Sequence, residues 1–407
     1  MQASTTIGAL EIFVALLAVA SGVALLTRRL TAVPYSVALV ILGVAVAALR
    51  PPVEATIEPD LILAVLLPAL VFEAAYRTDI RILAANLPAV ALLAIPGVLI
   101  SAAAVALVLE LLIGLPFGLA FLVGTMLAAT DPAAILSVVG RLGAPRSLTT
   151  LVEAESLFND GTGIVIFVLA LQALDTGLDG GQIVVGLVVT TVVSSAIGVG
   201  VGFVTSRLMA GIEDHLIELT LSMVAAYGSY LAAAQLGQSG LIATVACGLV
   251  LGTYGRRVGI SRRAAEAIDT VWEFLAFLGT TLVFLLIGLA IGLPQLIASA
   301  GAAGAALVAL IVARAVVVYG LLGGAAGILT RIGWMRAVPR GWLHLVAWSG
   351  LRGAVSVALA LSLPPGLPQR ETLQGIVFGC VLFTLLLQGT SSQLLVSRMR
   401  LEREPGA

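Results

Sequence analysis

Between Leu148 and Leu174 the chain is long and apolar enough to cross a bilayer, yet its middle reads Glu155-Ser156-Leu157-Phe158-Asn159-Asp160-Gly161-Thr162-Gly163. A spanning helix needs about 20 mostly apolar residues. Even lenient insertion scales put an aspartate at the helix centre at about +2.5 to +3.5 kcal/mol. Packing alone does not justify residues this costly. Glu155 and Asn159 are four apart and share one helix face, with Asp160 about 100° round from it. The face offers oxygens to something positive.

The rest of the chain has the same character. Its 407 residues are 60% hydrophobic and only 11% charged, against about 25% charged for a soluble domain, and the mean hydropathy is +1.14. This describes an all-α polytopic membrane protein. The net charge of −1 gives no sign of a nucleic-acid partner. Cys247 and Cys380 lie in apolar runs and read as small core hydrophobes. Residues Met1 to Thr27 lack a basic leader and read as a first span, not a signal peptide.

Hydropathy and charge breaks give thirteen candidate spans, at 6–27, 33–50, 57–76, 83–113, 116–140, 148–174, 181–207, 215–236, 239–254, 265–292, 295–328, 340–363 and 371–397. All 21 basic residues are Arg. With the N-terminus outside, seventeen fall on inside loops and the tail, against Arg50 and Arg370 outside. That is the positive-inside pattern. It predicts a multi-pass protein of the inner (plasma) membrane with a cytoplasmic C-terminus. Arg314 and Arg352 remain, both inside spans.

Two spans carry polar breaks at mid-depth. The fifth reads Ala128-Ala129-Thr130-Asp131-Pro132, and Pro132 removes a backbone donor. The twelfth reads Ser349-Gly350-Leu351-Arg352-Gly353-Ala354. Such breaks are tolerated only beside protein or water. They sit seven spans apart, so the paired elements run in opposite directions. That is an inverted repeat with two broken crossing helices, a transporter design. By position the spans group into residues 1–113, 114–176, 177–292 and 293–399, followed by a short cytoplasmic tail at 400–407.

Asp160 is the candidate for trading a proton against a cation. Burial disfavours its charged form and a bound Na+ favours it, so proton and metal compete. Na+ is hard and takes oxygens. Asp160, Glu73, Ser156 and the backbone carbonyl of Thr130 supply them, with Asn159 bridging. Asp131 answers the exposed N–H ends of the breaks and Arg352 the exposed C=O ends; both also read as plain structural charge partners. Glu155 pairs with Arg314 or Arg352. Glu73 reads alternatively as a local ion pair with Arg77. Glu153 reads as wet, Glu273 as interfacial, and His215 and His344 as surface residues.

Taken together, Phe72-Glu73, Ala129-Thr130-Asp131-Pro132, Glu155 to Asp160, Trp272-Glu273-Phe274-Leu275, Phe284 to Gly288, Ala313-Arg314 and Leu351 to Ala354 resemble the monovalent cation/proton antiporters. Within these the chain is similar to the NhaP and eukaryotic sodium-proton exchanger branch. The resemblance implies a thirteen-helix NhaA/NapA-like antiporter fold, a homodimer among membrane lipids, and elevator motion of a core of spans four to six and eleven to thirteen. It implies that residues 1–113 hold dimerisation-side helices one to three and the first core helix, 114–176 core helices five and six with the ion site, 177–292 a linker helix and dimerisation-side helices eight to ten, and 293–399 core helices eleven to thirteen. It implies that Asp160 binds the ion and that Asn159 marks electroneutral exchange. Electrogenic relatives carry Asp at that position and a Lys in the eleventh span. This chain has no Lys and has Arg314 there, and Arg does not give up its proton. The expectation is a sodium/proton antiporter exchanging Na+ (or Li+) for H+ one for one, in pH homeostasis, with no cofactor and no enzymatic activity. The alternative is a K+/H+ or broad monovalent cation/proton antiporter. An aspartyl intramembrane hydrolase lacks its Gly-x-Gly-Asp stretch here. A passive channel would differ in showing no saturation.

Overall fold

The computed structural model describes residues 14–15, 17–27, 34–49, 62–141, 144–177, 180–290, 293–325, 330 and 338–392. The expected tail at 400–407 lies outside them. Within them the chain is helical, in chain order α1 (Leu17–Thr27), α2 (Tyr35–Leu49), α3 (Leu67–Arg77), α4 (Ile80–Ile113), α5 (Phe117–Met126), α6 (Ala133–Arg141), α7 (Arg146–Thr176), α8 (Gly180–Met209), α9 (His215–Gln235) and α10 (Gly240–Val258). There follow α11 (Arg262–Ala290), α12 (Leu293–Ala298), α13 (Ala300–Gly324), α14 (Arg340–Trp348), α15 (Ala354–Leu361) and α16 (Arg370–Ser392).

Among the described residues eight of these are long and apolar enough to cross a membrane: α4, α7, α8, α9, α10, α11, α13 and α16. The other five expected spans do not appear as single helices of that length, for two reasons. Spans five and twelve are divided by their polar breaks, into α5 with α6 and α14 with α15. Spans one to three fall on α1, α2 and α3; α1 and α2 border residues outside the description, and α3 continues a π-type turn, Ile62–Leu66, that does so.

Local sequence accounts for the ends and irregularities. Asp79 caps α4, accepting hydrogen bonds from the amides of Arg81 at 2.8 Å and Ile82 at 3.4 Å. Pro96 in the same helix sits in a π-type turn, Leu93–Gly97. The wider turn absorbs the missing donor without ending the helix. In α2 and α11, Gly43 and Gly288 face each other so closely that a methyl on Gly43 would stand 2.5 Å from the Leu285 carbonyl oxygen. Two backbones meet there as small residues allow in membrane proteins.

The long helix α7 packs against α5 and α15. This sets its polar middle against both broken spans. The breaks also touch each other, as the Asp131 amide donates to the Leu351 carbonyl at 2.9 Å. The Arg352 amide donates to Thr384 Oγ1 on α16 at 3.2 Å, which anchors the second break from behind. The largest apolar cluster of the described residues surrounds this crossing, with Leu122, Met126, Leu151, Leu351, Val357 and Val381 fully buried within it.

Candidate functional site

Thr130, in the first break, is tied to α7 by three separate groups. Its carbonyl accepts from Ser156 Oγ at 2.5 Å. Its hydroxyl accepts from Asn159 Nδ2 at 3.3 Å. Its backbone amide acts on the Asp160 carboxylate. A helix would have spent that amide and carbonyl internally. The non-helical turn frees both, as Pro132 two residues on suggests.

Asp160 is partly open to a cavity of about 610 Å³. Thr130, Asp131, Ser156 and Glu73 line the same space. Toward its Arg77 side lies Glu153, an exposed residue. Glu73 does not face the cavity unaccompanied: Arg77 Nη1 reaches its Oε1 at 2.9 Å and Glu273 Oε2 at 3.4 Å. The hydrogen bond to Glu73 raises the Arg77 guanidinium above its ordinary range. Glu73 therefore lines this cavity while forming the local pair with Arg77.

Asp131 lies at the N-terminal ends of both half-helices beyond the breaks. Its Oδ1 accepts from the Ala133 amide of α6 at 3.0 Å, and the Ala354 amide of α15 also acts on its carboxylate. A methyl on Gly353 would overlap that carboxylate, so the glycine permits the approach. The negative group thus faces the positive ends of two helix dipoles.

Behind Asp160, away from the cavity, Glu155 and Arg314 form a two-pronged pair. Arg314 Nη1 and Nη2 donate to Glu155 Oε1 and Oε2 at 2.6 and 2.9 Å, with the two side chains 9% and 1% exposed. Asn159 Nδ2 also donates to Glu155 Oε1. Of the two arginines open to Glu155 in the sequence, the structure selects Arg314. Arg314 also takes the place expected for Arg352 at an open carbonyl, donating to Val346 O in the last turn of α14 at 2.7 Å. Arg352 is 2% exposed, and its Nε and Nη1 meet no hydrogen-bond partner among the described residues.

Two hydroxyl residues at the cavity, Thr280 and Ser356, escaped the sequence reading. Ser356 on α15 is fully buried at the cavity wall, and its Oγ has no partner among the described residues. Its signal was available: it is the only hydroxyl in the otherwise apolar Ala354–Leu361. His344 is exposed and bonded to the Tyr319 hydroxyl at 2.7 Å.

Residues 12–398 match the family model described as the sodium/hydrogen exchanger, transmembrane. The Na(+)/H(+) antiporter ApNhaP of Aphanothece halophytica is 39% identical over 401 residues, covering 96% of this chain and 75% of that protein. The Na(+)/H(+) antiporter NhaP of Pseudomonas aeruginosa is 36% identical over 360 residues, 84% of this chain and 82% of that one. The structure of the sodium proton antiporter MjNhaP1 from Methanocaldococcus jannaschii superposes with a TM-score of 0.79 at 22% identity, covering 98% of this chain and 99% of that one.

Proposed function

Because the chain belongs to the sodium/hydrogen exchanger family of membrane transporters, we propose that it is a sodium/proton antiporter in which Na+ and H+ compete for Asp160. The observation that carries this reading is the cavity in which the Asp160 carboxylate stands beside Thr130, Ser156, Asp131 and Ser356. It brings together hard oxygens of mixed kind, as a monovalent hard cation requires. A proton needs only the carboxylate. The two ions therefore exclude each other at one atom group while drawing on different surroundings.

The stoichiometry follows from charge. Around the crossing stand three acids, Asp131, Glu155 and Asp160, and two arginines, Arg314 and Arg352. With all ionised the group carries one net negative charge. One proton or one Na+ on Asp160 brings it to zero. Moving a net charge through hydrocarbon is costly, so the two neutral states cross readily and the empty one does not. That rule couples the ions one for one and makes exchange electroneutral. Arg314 holds the balance fixed, since a guanidinium does not release its proton as an ammonium can.

The cavity reaches Arg77 and Glu153, on the face that the arginine distribution assigns to the cytoplasm. On this reading the site opens to that side. Elevator movement of the helices carrying the two breaks, against the helices on the dimerisation side of a homodimer, would expose it to the other.

Proton flux driven by Na+, Li+ and K+ in proteoliposomes, compared across pH, tests the reading. It predicts saturable proton movement coupled to Na+ and Li+, bell-shaped in pH, with no net current at clamped potential. Flux driven equally by K+ would select the broader exchanger. Net current would overturn the charge argument.

A further inference from the structure

A second cavity, of about 480 Å³, lies where the ends of α3 and α10 meet the start of α4. Four arginines line it, Arg77, Arg81, Arg256 and Arg257, with two carboxylates, Asp79 and Asp269. The carboxylates are already engaged: Asp79 caps α4, and Asp269 pairs with Arg256. Arg77 is held by Glu73. The exposed side chains of Arg81 and Arg257 have no ion pair or hydrogen bond among the described residues. Two uncommitted guanidinium groups therefore share one concave site. Tyr76 lines it too, and its hydroxyl, buried beneath Arg256, finds no acceptor among the described residues. The Arg256 guanidinium stacks over the Tyr76 ring at 4.4 Å, which fixes the floor of the site.

We propose that this cavity binds a phosphate-bearing anion. A phosphate monoester carries about −1.5 to −2 charges and three acceptor oxygens, matching two free guanidinium forks. Arg is the side chain suited to such planar, two-pronged recognition. The same chemistry comes from a phospholipid headgroup at the membrane surface or from a soluble phosphate.

The site bears on transport through Arg77, which lines both this cavity and the ion cavity. An anion among the arginines competes with Glu73 for Arg77. Glu73 then faces the ion cavity with its charge less compensated, which raises the local attraction for Na+. Bound anion therefore lowers the Na+ concentration needed for half-maximal exchange. Only this second effect rests on the exchange reading; binding itself does not.

The test uses the full chain, wild type and Arg81→Gln/Arg257→Gln, in neutral phosphatidylcholine with three additions: none, phosphatidic acid, or soluble glycerol phosphate. Thermal unfolding reads binding and sodium-driven proton flux reads the coupling. In the wild type at least one phosphate source raises the unfolding midpoint. It also lowers the half-maximal Na+ by about fivefold or more, the lower end of ordinary coupling between two sites. Response to the lipid alone assigns the site to a headgroup, response to the soluble form alone to a free metabolite, and response to both to the phosphate itself. The double variant keeps its exchange in neutral lipid and loses both responses; Arg81→Lys/Arg257→Lys keeps part of them. Equal midpoint shifts in wild type and the Gln variant, or no shift with either source, overturn the site. A midpoint shift without a change in half-maximal Na+ overturns the coupling through Arg77 and leaves the exchange reading standing.

Discussion

Replacing Arg314 with Gln perturbs stability and transport at once, and a second substitution separates the two. Glu155 is 1% exposed and Arg314 8%, so Arg314→Gln strands a carboxylate in a dry site. Breaking one side of a buried pair costs about 3–5 kcal/mol. The same change takes the crossing from one net negative charge to two, and a single bound cation then leaves one uncompensated. With about 2.5–3.5 kcal/mol for a charge at mid-bilayer and 1.36 kcal/mol per tenfold in rate, exchange slows roughly a hundredfold. What remains becomes sensitive to membrane potential. Glu155→Gln shifts the balance the other way, leaving the loaded state positive, and slows exchange comparably. The double variant Glu155→Gln/Arg314→Gln restores one net negative charge and removes the stranded partner. It recovers most of the unfolding midpoint and exchanges within about tenfold of wild type. The assay is proton flux in vesicles at clamped potential, with thermal unfolding of the purified protein beside it. A double variant as slow as either single one, or Arg314→Gln exchanging within twofold of wild type, refutes the charge argument.

Other outcomes follow from the same geometry. Asp160→Asn loses all Na+-dependent proton flux while its unfolding midpoint stays near or above wild type, since a costly buried charge is gone; wild-type flux in vesicles would reassign the site. Asp131→Ala loses two helix-end contacts at about 0.5–2 kcal/mol each, whereas Asp131→Asn keeps an acceptor oxygen and retains most of that stability by thermal unfolding. Gly353→Ala places a methyl against the Asp131 carboxylate and Cβ and lowers the unfolding midpoint, an effect that persists in the Asp131→Ala background because alanine keeps that Cβ. Ser356→Ala removes one oxygen from the cavity wall and raises the half-maximal Na+ concentration several-fold, with the pH profile of exchange unchanged in shape.

What the sequence revealed depends on how local each cause is. Both breaks were legible because their signals are contiguous: Pro132 next to Asp131, and two glycines flanking Leu351-Arg352. The polar middle of α7 was legible because charge inside an apolar run is conspicuous. The partner of Glu155 was not, since Arg314 lies 159 residues away and Arg352 stands at a similar depth. Only the three-dimensional crossing brings one fork into line. Ser356 was missed because a lone serine in an apolar helix ordinarily bonds its own backbone. Its role emerges from the cavity beside it. The π-type turn at Pro96 was hidden for a related reason, because a proline in a long apolar run signals a kink but not how the helix absorbs it.

The most direct test of the central claim counts protons released when Na+ binds to the purified protein, by titration calorimetry in buffers of different ionisation enthalpy. Competition at one carboxylate predicts that protein started at a pH where Asp160 is protonated releases one proton for each Na+ bound, and that Asp160→Asn neither binds Na+ at that site nor releases a proton. Sodium binding with no proton release, or the same release from the Asp160→Asn protein, would contradict it.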